Sequence, residues 1–337
     1  MKSNRTKYYI TLGRKFAQKS IRPKPLPSPF RLMLRFNGGF ALSLLYGVAA
    51  LAVVWRFDSK QAAQDFFRVY TISFKTIISL GLIIGTALLV KRTQHIVSDT
   101  IETAFEGELT DNYYYYRGRF SSWRVTIRFS GLMVAIAFVI FVLSQFPLGT
   151  LGRYLMLGAV CMEYGIAAYI GRKIMYAALM VDSLSPLEPK RNLFRNRELD
   201  SINTYVNAAS TLTIIFVFLH VTNYYAAPFT FGSLIGQSIK LFLLLPAIIG
   251  TPVLLIFNFY PRAVLETIYR KSIELEIQQL RSTLRNAAFN EYEKYSYVIE
   301  FEKMARDELR YSLKMALTDL PIAITILIMV LLPLLKR

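Results

Sequence analysis

The sequence predicts an all-α, polytopic integral membrane protein with about seven transmembrane helices in hairpin pairs and a cytoplasmic antiparallel helical hairpin. Three observations support this fold class. Hydrophobic residues make up 54% of the 337 residues, and the apolar residues are concentrated in seven long runs. A charged segment with helical periodicity, residues 261–319, lies between the last two runs.

The seven apolar runs are candidate spans, because a helix that crosses a bilayer needs about 20 apolar residues. Residues 37–39 lengthen the first run, whereas the last run is short and could also re-enter the membrane. Residues 37–260 then form a six-span domain, and residues 320–337 form the C-terminal spanning or re-entrant helix. The runs are 40–55, 70–90, 125–146, 151–171, 205–225, 239–260 and 320–335.

The charge distribution predicts a cytoplasmic N-terminus. Residues 1–36 carry ten Lys or Arg and no acidic residue, and the positive-inside rule places such a segment in the cytoplasm. The segments 91–124, 172–204 and 261–319 then also lie inside, the first two as helical extensions of the spans. A bacterial inner membrane is the preferred location, and a mitochondrial transit segment is the alternative for the basic N-terminus.

The N-terminal segment also predicts a contact with lipid. Residues 4–19 have the pattern of a short basic amphipathic helix, and four prolines between 23 and 29 predict an extended linker after it. The expected partners of this segment are membrane lipids, through the anionic headgroups of the cytoplasmic face.

The first two spans are expected to form a hairpin around a loop at 57–68. Gly81 and Gly85 in the second span have the small-xxx-small spacing that lets two helices approach closely. Beyond Lys91 and Arg92, the helical pattern continues to Gly107.

A cluster of tyrosines and arginines precedes the third span. Stacking rings beside phosphate-binding cations are typical of sites for nucleotides or single-stranded nucleic acid. The alternative is an interfacial aromatic belt, because the cluster lies directly before a span. The candidate polyanion site consists of Tyr114, Tyr115, Arg117, Arg119 and Arg124.

The fourth span contains Glu163 near the middle of the bilayer. An unpaired charge at that depth costs several kcal/mol, so the carboxylate should be protonated, paired or in contact with water. A structural hydrogen bond and an ion or proton path are equally good interpretations.

Spans five and six contain further polar or helix-breaking residues that should face away from lipid. A polar stripe lies on the inner half of span five, and two prolines and a glycine predict a kinked or broken span six. The candidate ion path therefore consists of Glu163, Asn207, Ser210, Thr211, Pro246, Gly250 and Pro252.

The charged segment 261–319 predicts two helical arms that turn near residues 286–290. Its ten basic and ten acidic residues leave almost no net charge. An apolar stripe at steps of three and four marks the first arm, and a second stripe runs from Tyr292 to Leu313. The expected seam of the hairpin or of an oligomer consists of Ile273, Ile277, Leu280 and Leu284.

The sequence contains only two histidines and one cysteine, and no phosphate-binding or hydrolase motif. We therefore expect no enzymatic activity, no cofactor and no metal site. The leading functional prediction is an oligomeric pore or ion channel controlled from the cytoplasm, for instance a bacterial membrane effector in antiviral defence gated by a nucleotide or oligonucleotide. The alternatives are a secondary transporter with a site at Glu163 and span six, and a scaffold that docks partners on the hairpin.

Overall fold

The structure is a computed structural model, and all of its secondary structure within the described residues is helical. It describes residues 4–18, 29–71, 75–105, 107–143, 149–187, 199, 201–202, 204–205, 260–283, 295–305 and 307. Further helical residues follow the first eight helices, at 201–202, 204–205, 260–283, 295–305 and 307. The eight helices are α1 Asn4–Gln18, α2 Pro29–Phe57, α3 Lys60–Thr71, α4 Lys75–Thr93, α5 Ile96–Ala104, α6 Asp111–Ser121, α7 Trp123–Leu143 and α8 Thr150–Asp182.

The described helices confirm the all-helical fold class and include candidate membrane spans. Three stretches are long and apolar enough to cross a bilayer, namely Met33–Phe57, Ser79–Ala104 and Thr150–Asp182. A fourth crossing results if Asp111–Ser121 and Trp123–Val139, which meet at a bend of 62°, are counted as one span. The predicted spans at 205–225, 239–260 and 320–335 lie almost wholly outside the described residues, so the number seven stays a prediction.

Helices α2 and α4 pack closely because both carry glycine at their crossing. A Cβ atom on Gly39 would lie 2.2 Å from the Gly85 nitrogen and 2.4 Å from the Gly81 oxygen. Such distances leave no room for a side chain, so the two backbones are in direct contact. The close approach predicted from Gly81 and Gly85 is therefore confirmed, with α2 as the partner.

The predicted loop at 57–68 is wrong, because most of it belongs to helix α3. The backbone N–H of Ala62 donates to Ser59 Oγ at 3.0 Å, which is the bond of a helix N-cap. Ala63 and Phe66, three residues apart, are buried against the membrane helices. The apolar stripe of α3 is short and lies among charged residues, so its sequence pattern resembles that of a loop.

We define the membrane layer as α2, α3, α4, α7 and the part of α8 before Arg172. Its core is apolar, and the opposite faces of α2 and α7 expose large apolar side chains, as expected for lipid-facing surfaces. The core includes Ala50, Val54, Phe66, Leu80, Phe141 and Val160, and the exposed faces include Leu45, Val48, Leu132 and Val139.

A second layer, the peripheral layer, consists of α1, α5, α6, the end of α8 from Arg172 and the first part of the 260–283 helix. It has its own apolar core, which includes Val97, Ile101, Tyr113, Met180, Leu184 and Ile268. Helix α5 ends at Ala104, near the predicted end at Gly107, and Gly107 has a φ of +80°, a left-handed conformation that glycine tolerates. Helix α8 is the only described helix that contributes to both layers over long stretches.

The helix at 260–283 packs against the end of α8 through two polar bonds. The Tyr260 hydroxyl donates to Asp182 Oδ1 at 2.7 Å, and Lys271 Nζ donates to the Ser185 oxygen at 2.9 Å. A lysine at this place satisfies a carbonyl that follows the end of α8.

The predicted seam is partly visible on this helix. Ile273 is buried, Ile277 and Leu280 are half-buried, and Leu284 lies outside the described residues. On the 295–305 helix, Val298 and Ala305 of the predicted second stripe are buried. The described parts of the two arms, 260–283 and 295–305, are therefore helical, whereas their pairing as an antiparallel hairpin stays a prediction.

Candidate functional site

Glu163 lies near the middle of the membrane layer. It is ten residues from Arg153 and nine from Arg172 along α8, which is about 15 Å and about 13 Å at the helical rise. The two arginines are thus separated by roughly the thickness of the hydrocarbon core, about 30 Å. Glu163 therefore lies midway along this apolar part of α8, and its depth in a bilayer stays a prediction.

The carboxylate of Glu163 contacts a buried hydroxyl of α4. Ser79 Oγ donates a hydrogen bond to Glu163 Oε1, and the two residues are 1% and 8% exposed. Ser43 of α2 is fully buried as well. Because Gly39 lies opposite Gly81 and Gly85 in the antiparallel α2 and α4, Ser43 lies at the level of Ser79. Three helices thus bring polar side chains to one level, which we call the polar node (Ser43, Ser79, Glu163).

The polar node can hold a proton or a small cation. Hydroxyl groups both donate and accept, so they can stabilise a carboxylate and also contribute oxygen ligands to a cation. The other predicted members of the ion path, Asn207, Ser210, Thr211, Pro246, Gly250 and Pro252, lie outside the described residues, so their grouping with Glu163 stays a prediction.

The tyrosine and arginine cluster forms helix α6. Thr110 caps the helix by accepting the Tyr113 N–H at 3.4 Å, and Asp111 supplies an acidic residue in the first turn. Four consecutive tyrosines on a helix point in directions about 100° apart, so they cannot form one stacking surface. Helix α6 accordingly meets α5, α1 and α8 with different residues.

One face of α6 holds a buried ion pair. Arg117 Nε lies 2.8 Å from Glu102 Oε1 of α5, and the two side chains are 3% and 8% exposed. The Tyr113 hydroxyl donates to the same carboxylate oxygen at 2.9 Å. Burial, and next the negative Glu102, raise the pKa of Tyr113 well above its ordinary value, so this phenol remains a donor. The Arg117 side chain is therefore paired with Glu102 inside the peripheral layer.

A second face of α6 places Arg119 among three tyrosine rings. The guanidinium carbon lies 5.2 Å from the ring centre of Tyr9, 5.5 Å from that of Tyr115 and 5.6 Å from that of Tyr176. Arg119 Nη1 also donates to the Tyr115 hydroxyl at 2.6 Å. Such cation–π contacts hold Arg119 between α1, α6 and α8.

Helix α1 covers a third face of α6 at a crossing of two glycines. A Cβ atom on Gly13 would lie 1.9 Å from the Tyr114 oxygen, and one on Gly118 would lie 2.0 Å from the Tyr9 oxygen. At the same crossing, Arg14 Nη2 lies 2.8 Å from Asp111 Oδ1. The predicted basic helix at 4–19 is thus present as α1, but one side of it packs on protein.

The end of α6 is held by two buried basic side chains of α8 that the sequence did not identify as buried. Arg172 Nη1 donates to the Arg119 oxygen at 2.7 Å, and Lys173 Nζ donates to the Phe120 oxygen at 2.7 Å. Arg172 and Lys173 are 1% and 5% exposed. Cations at a helix C-terminus satisfy its free carbonyls and oppose its partial negative charge. The pair therefore fixes the bend between α6 and α7.

The structure divides the predicted polyanion site among different environments. Tyr115 and Arg119 lie together, Tyr114 lies under α1, and Arg117 is bonded to Glu102. Arg124 is exposed beyond the bend, on α7. Helix α1 contacts this group of rings, and Tyr114, Tyr115 and Arg119 are half-buried. Binding of a nucleotide or single strand here stays a prediction.

The comparisons with known proteins add no assignment to these sites. No protein-family model matches the chain, and no match was found among curated proteins or among solved structures.

Proposed function

We propose that the chain is the subunit of an oligomeric membrane pore or ion channel that is controlled from the cytoplasmic side, with Glu163 on the ion path. The observation that carries the proposal is a carboxylate buried at mid-membrane depth and bonded to Ser79. A purely apolar packing site would avoid the several kcal/mol that such a group costs. An ion path supplies a reason for its presence.

The layered architecture supports control from one side. Arg172 and Lys173 connect α8, which carries Glu163, to the end of α6 in the peripheral layer. A ligand that displaced α1 or α6 would act on the same helix that carries the carboxylate. A nucleotide or oligonucleotide in a bacterial membrane effector is the gating ligand that we propose.

The test is ion flux into liposomes that contain the purified protein. A unit charge about 4 Å from an ion contributes about 4 kcal/mol at an effective dielectric constant of about 20. Glu163→Gln should therefore change the flux, or shift its pH dependence, by more than tenfold. Met162→Gln is the matched control, since Met162 lies at the same depth on an exposed face of α8. It should leave the flux nearly unchanged.

Size measurement of the detergent-solubilised protein accompanies the flux assay. Unchanged flux and unchanged assembly in Glu163→Gln would make the carboxylate a packing residue and would contradict the proposal. A secondary transporter is the second candidate, because a buried carboxylate between α4 and α8 could also bind a coupling ion. A channel should conduct without saturating at low ion concentration, whereas a transporter should exchange ions at a saturable rate.

A further inference from the structure

Three of the described membrane helices contain no acidic residue. Helices α2, α4 and α7 carry only Arg and Lys as charged residues. Both arginines of α7 lie within its first six residues, and the arginines at the start of α2 and the pair at the end of α4 are exposed. These helices therefore bring excess positive charge to the surface of the membrane layer. The contacts between the helices determine at which level these charged side chains lie.

The helix contacts place six of these bases at one level. A Cβ atom on Gly165 of α8 would lie 3.0 Å from the Val134 side chain, so the antiparallel α7 brings Ile127 to the level of Arg172. Ser79 contacts Glu163, so α4, which runs parallel to α8, brings Lys91 to nearly the same level. The glycine crossing of α2 and α4 then brings Arg31 there too. We call these six exposed residues the basic girdle: Arg31, Arg35, Lys91, Arg92, Arg124 and Arg128.

The opposite end of the membrane layer differs in charge. Among the side chains that the structure describes there, Arg56, Lys60 and Arg153 are accompanied by Asp58 and Asp65. The basic girdle has no acidic residue on its own helices to balance it. Within the described part of the chain, Arg124 and Arg128 form no ion pair.

The level of the basic girdle corresponds to a membrane surface. Arg172 at this level lies 19 residues from Arg153 along α8, about 28 Å at the helical rise, which is close to the thickness of the hydrocarbon core. Trp123, directly before Arg124, is 67% exposed at this level. Indole rings prefer the headgroup region, and arginines beside them can reach phosphate groups.

We propose that the basic girdle binds the anionic phospholipid headgroups of one leaflet, with Trp123, Arg124 and Arg128 as its strongest part. This places the lipid contact on the membrane helices, whereas the sequence placed it on the basic helix at 4–19. The bidentate guanidinium group suits a phosphate diester, and several arginines at one depth can bind several headgroups. The proposal does not depend on the ion path at Glu163.

The chain carries a built-in pair of reporters for the test. Its two tryptophans are Trp123 in the girdle and Trp55 near the other end of α2, and they are almost equally exposed, at 67% and 66%. Trp55→Phe leaves Trp123 as the only indole, and Trp123→Phe leaves Trp55. Each variant is placed in two kinds of vesicle. One contains phosphatidylglycerol that carries a nitroxide quencher near its headgroup, which is the anionic quencher, and the other contains phosphatidylcholine labelled in the same way, which is the neutral quencher.

The anionic quencher should reduce the fluorescence of Trp123 more than the neutral quencher does. The two quenchers should reduce the fluorescence of Trp55 equally. A basic residue near an anionic surface contributes about 1 kcal/mol, so each arginine removed should lower the preference for phosphatidylglycerol about fivefold. Arg124→Gln with Arg128→Gln should therefore lower it about 25-fold at Trp123. Arg56→Gln with Lys60→Gln, the control at the other end, should not change it.

Three outcomes would overturn the proposal. One is equal quenching of Trp123 by the two lipids. Another is that inorganic phosphate abolishes the preference of the girdle for phosphatidylglycerol, whereas chloride at the same ionic strength does not. That result would indicate a site for free phosphate. The third is loss of this preference on adding a single-stranded oligonucleotide at that ionic strength, which would assign the girdle to nucleic acid. Arg124→Lys with Arg128→Lys should keep most of the preference, and unchanged quenching by the neutral lipid shows that a variant remains inserted.

Discussion

Removing the charge of Glu102 tests the energetic role of the buried pair in the peripheral layer. Glu102→Gln leaves the Arg117 guanidinium buried, with its side chain 3% exposed and without its counter-charge. Breaking a buried ion pair in this way costs about 3 to 5 kcal/mol, because the remaining charge is desolvated and uncompensated. We expect a loss of that size in the free energy of unfolding.

The assay is denaturant unfolding in mixed micelles, followed by the fluorescence of Trp123 in the Trp55→Phe background. Glu266→Gln is the matched control, because Glu266 forms an ion pair with the largely exposed Arg270. That variant should lose less than about 1 kcal/mol. Glu102→Leu with Arg117→Met should recover much of the stability, since an apolar pair of similar volume replaces both charges. If Glu102→Gln costs no more than Glu266→Gln, the assigned role of the pair is wrong.

Two further predictions concern helix packing and topology. Gly39→Val should separate α2 from α4, because its Cβ would meet the Gly85 backbone. We expect this variant to lose several kcal/mol of stability in the same unfolding assay. Gly38→Val is the control and should lose far less, because a Cβ at this position would lie 3.8 Å from its nearest neighbour. The topology can be tested with single cysteines in a Cys161→Ala background. Cysteines at the exposed positions Lys7 and Glu274 should react with an impermeant thiol reagent only from the cytoplasmic side, and a cysteine at Lys60 only from the other side. Labelling of positions 7 and 274 from opposite sides would contradict the topology.

The sequence was sufficient to predict those features that depend on the residue pattern of a single helix. Apolar length identified α2, α4 and α8 as candidate membrane helices, and a lone acidic residue in an apolar run drew attention to Glu163. The Gly81 and Gly85 spacing identified a close helix contact, although the partner helix became known only from the structure.

The sequence was insufficient wherever a residue's role depends on a distant part of the chain. Arg172 and Lys173 have the pattern of headgroup-facing bases, and they are buried because α6 happens to end beside them, more than 50 residues earlier. Arg117 has the pattern of a phosphate-binding residue, and it is engaged because α5 folds back and presents Glu102. Such pairings depend on tertiary contacts that no local periodicity encodes.

Helix α8 is continuous over 33 residues, and this gives it the mechanics of a rigid lever. From Glu163 to Asp182 the arm is 19 residues, or about 28 Å at the helical rise. A tilt of about 10° around Glu163 would displace the far end by roughly 5 Å, which is one helical turn. The 260–283 helix is joined to this end by Tyr260, by Lys271 and by a shared apolar core, so it would have to move with α8.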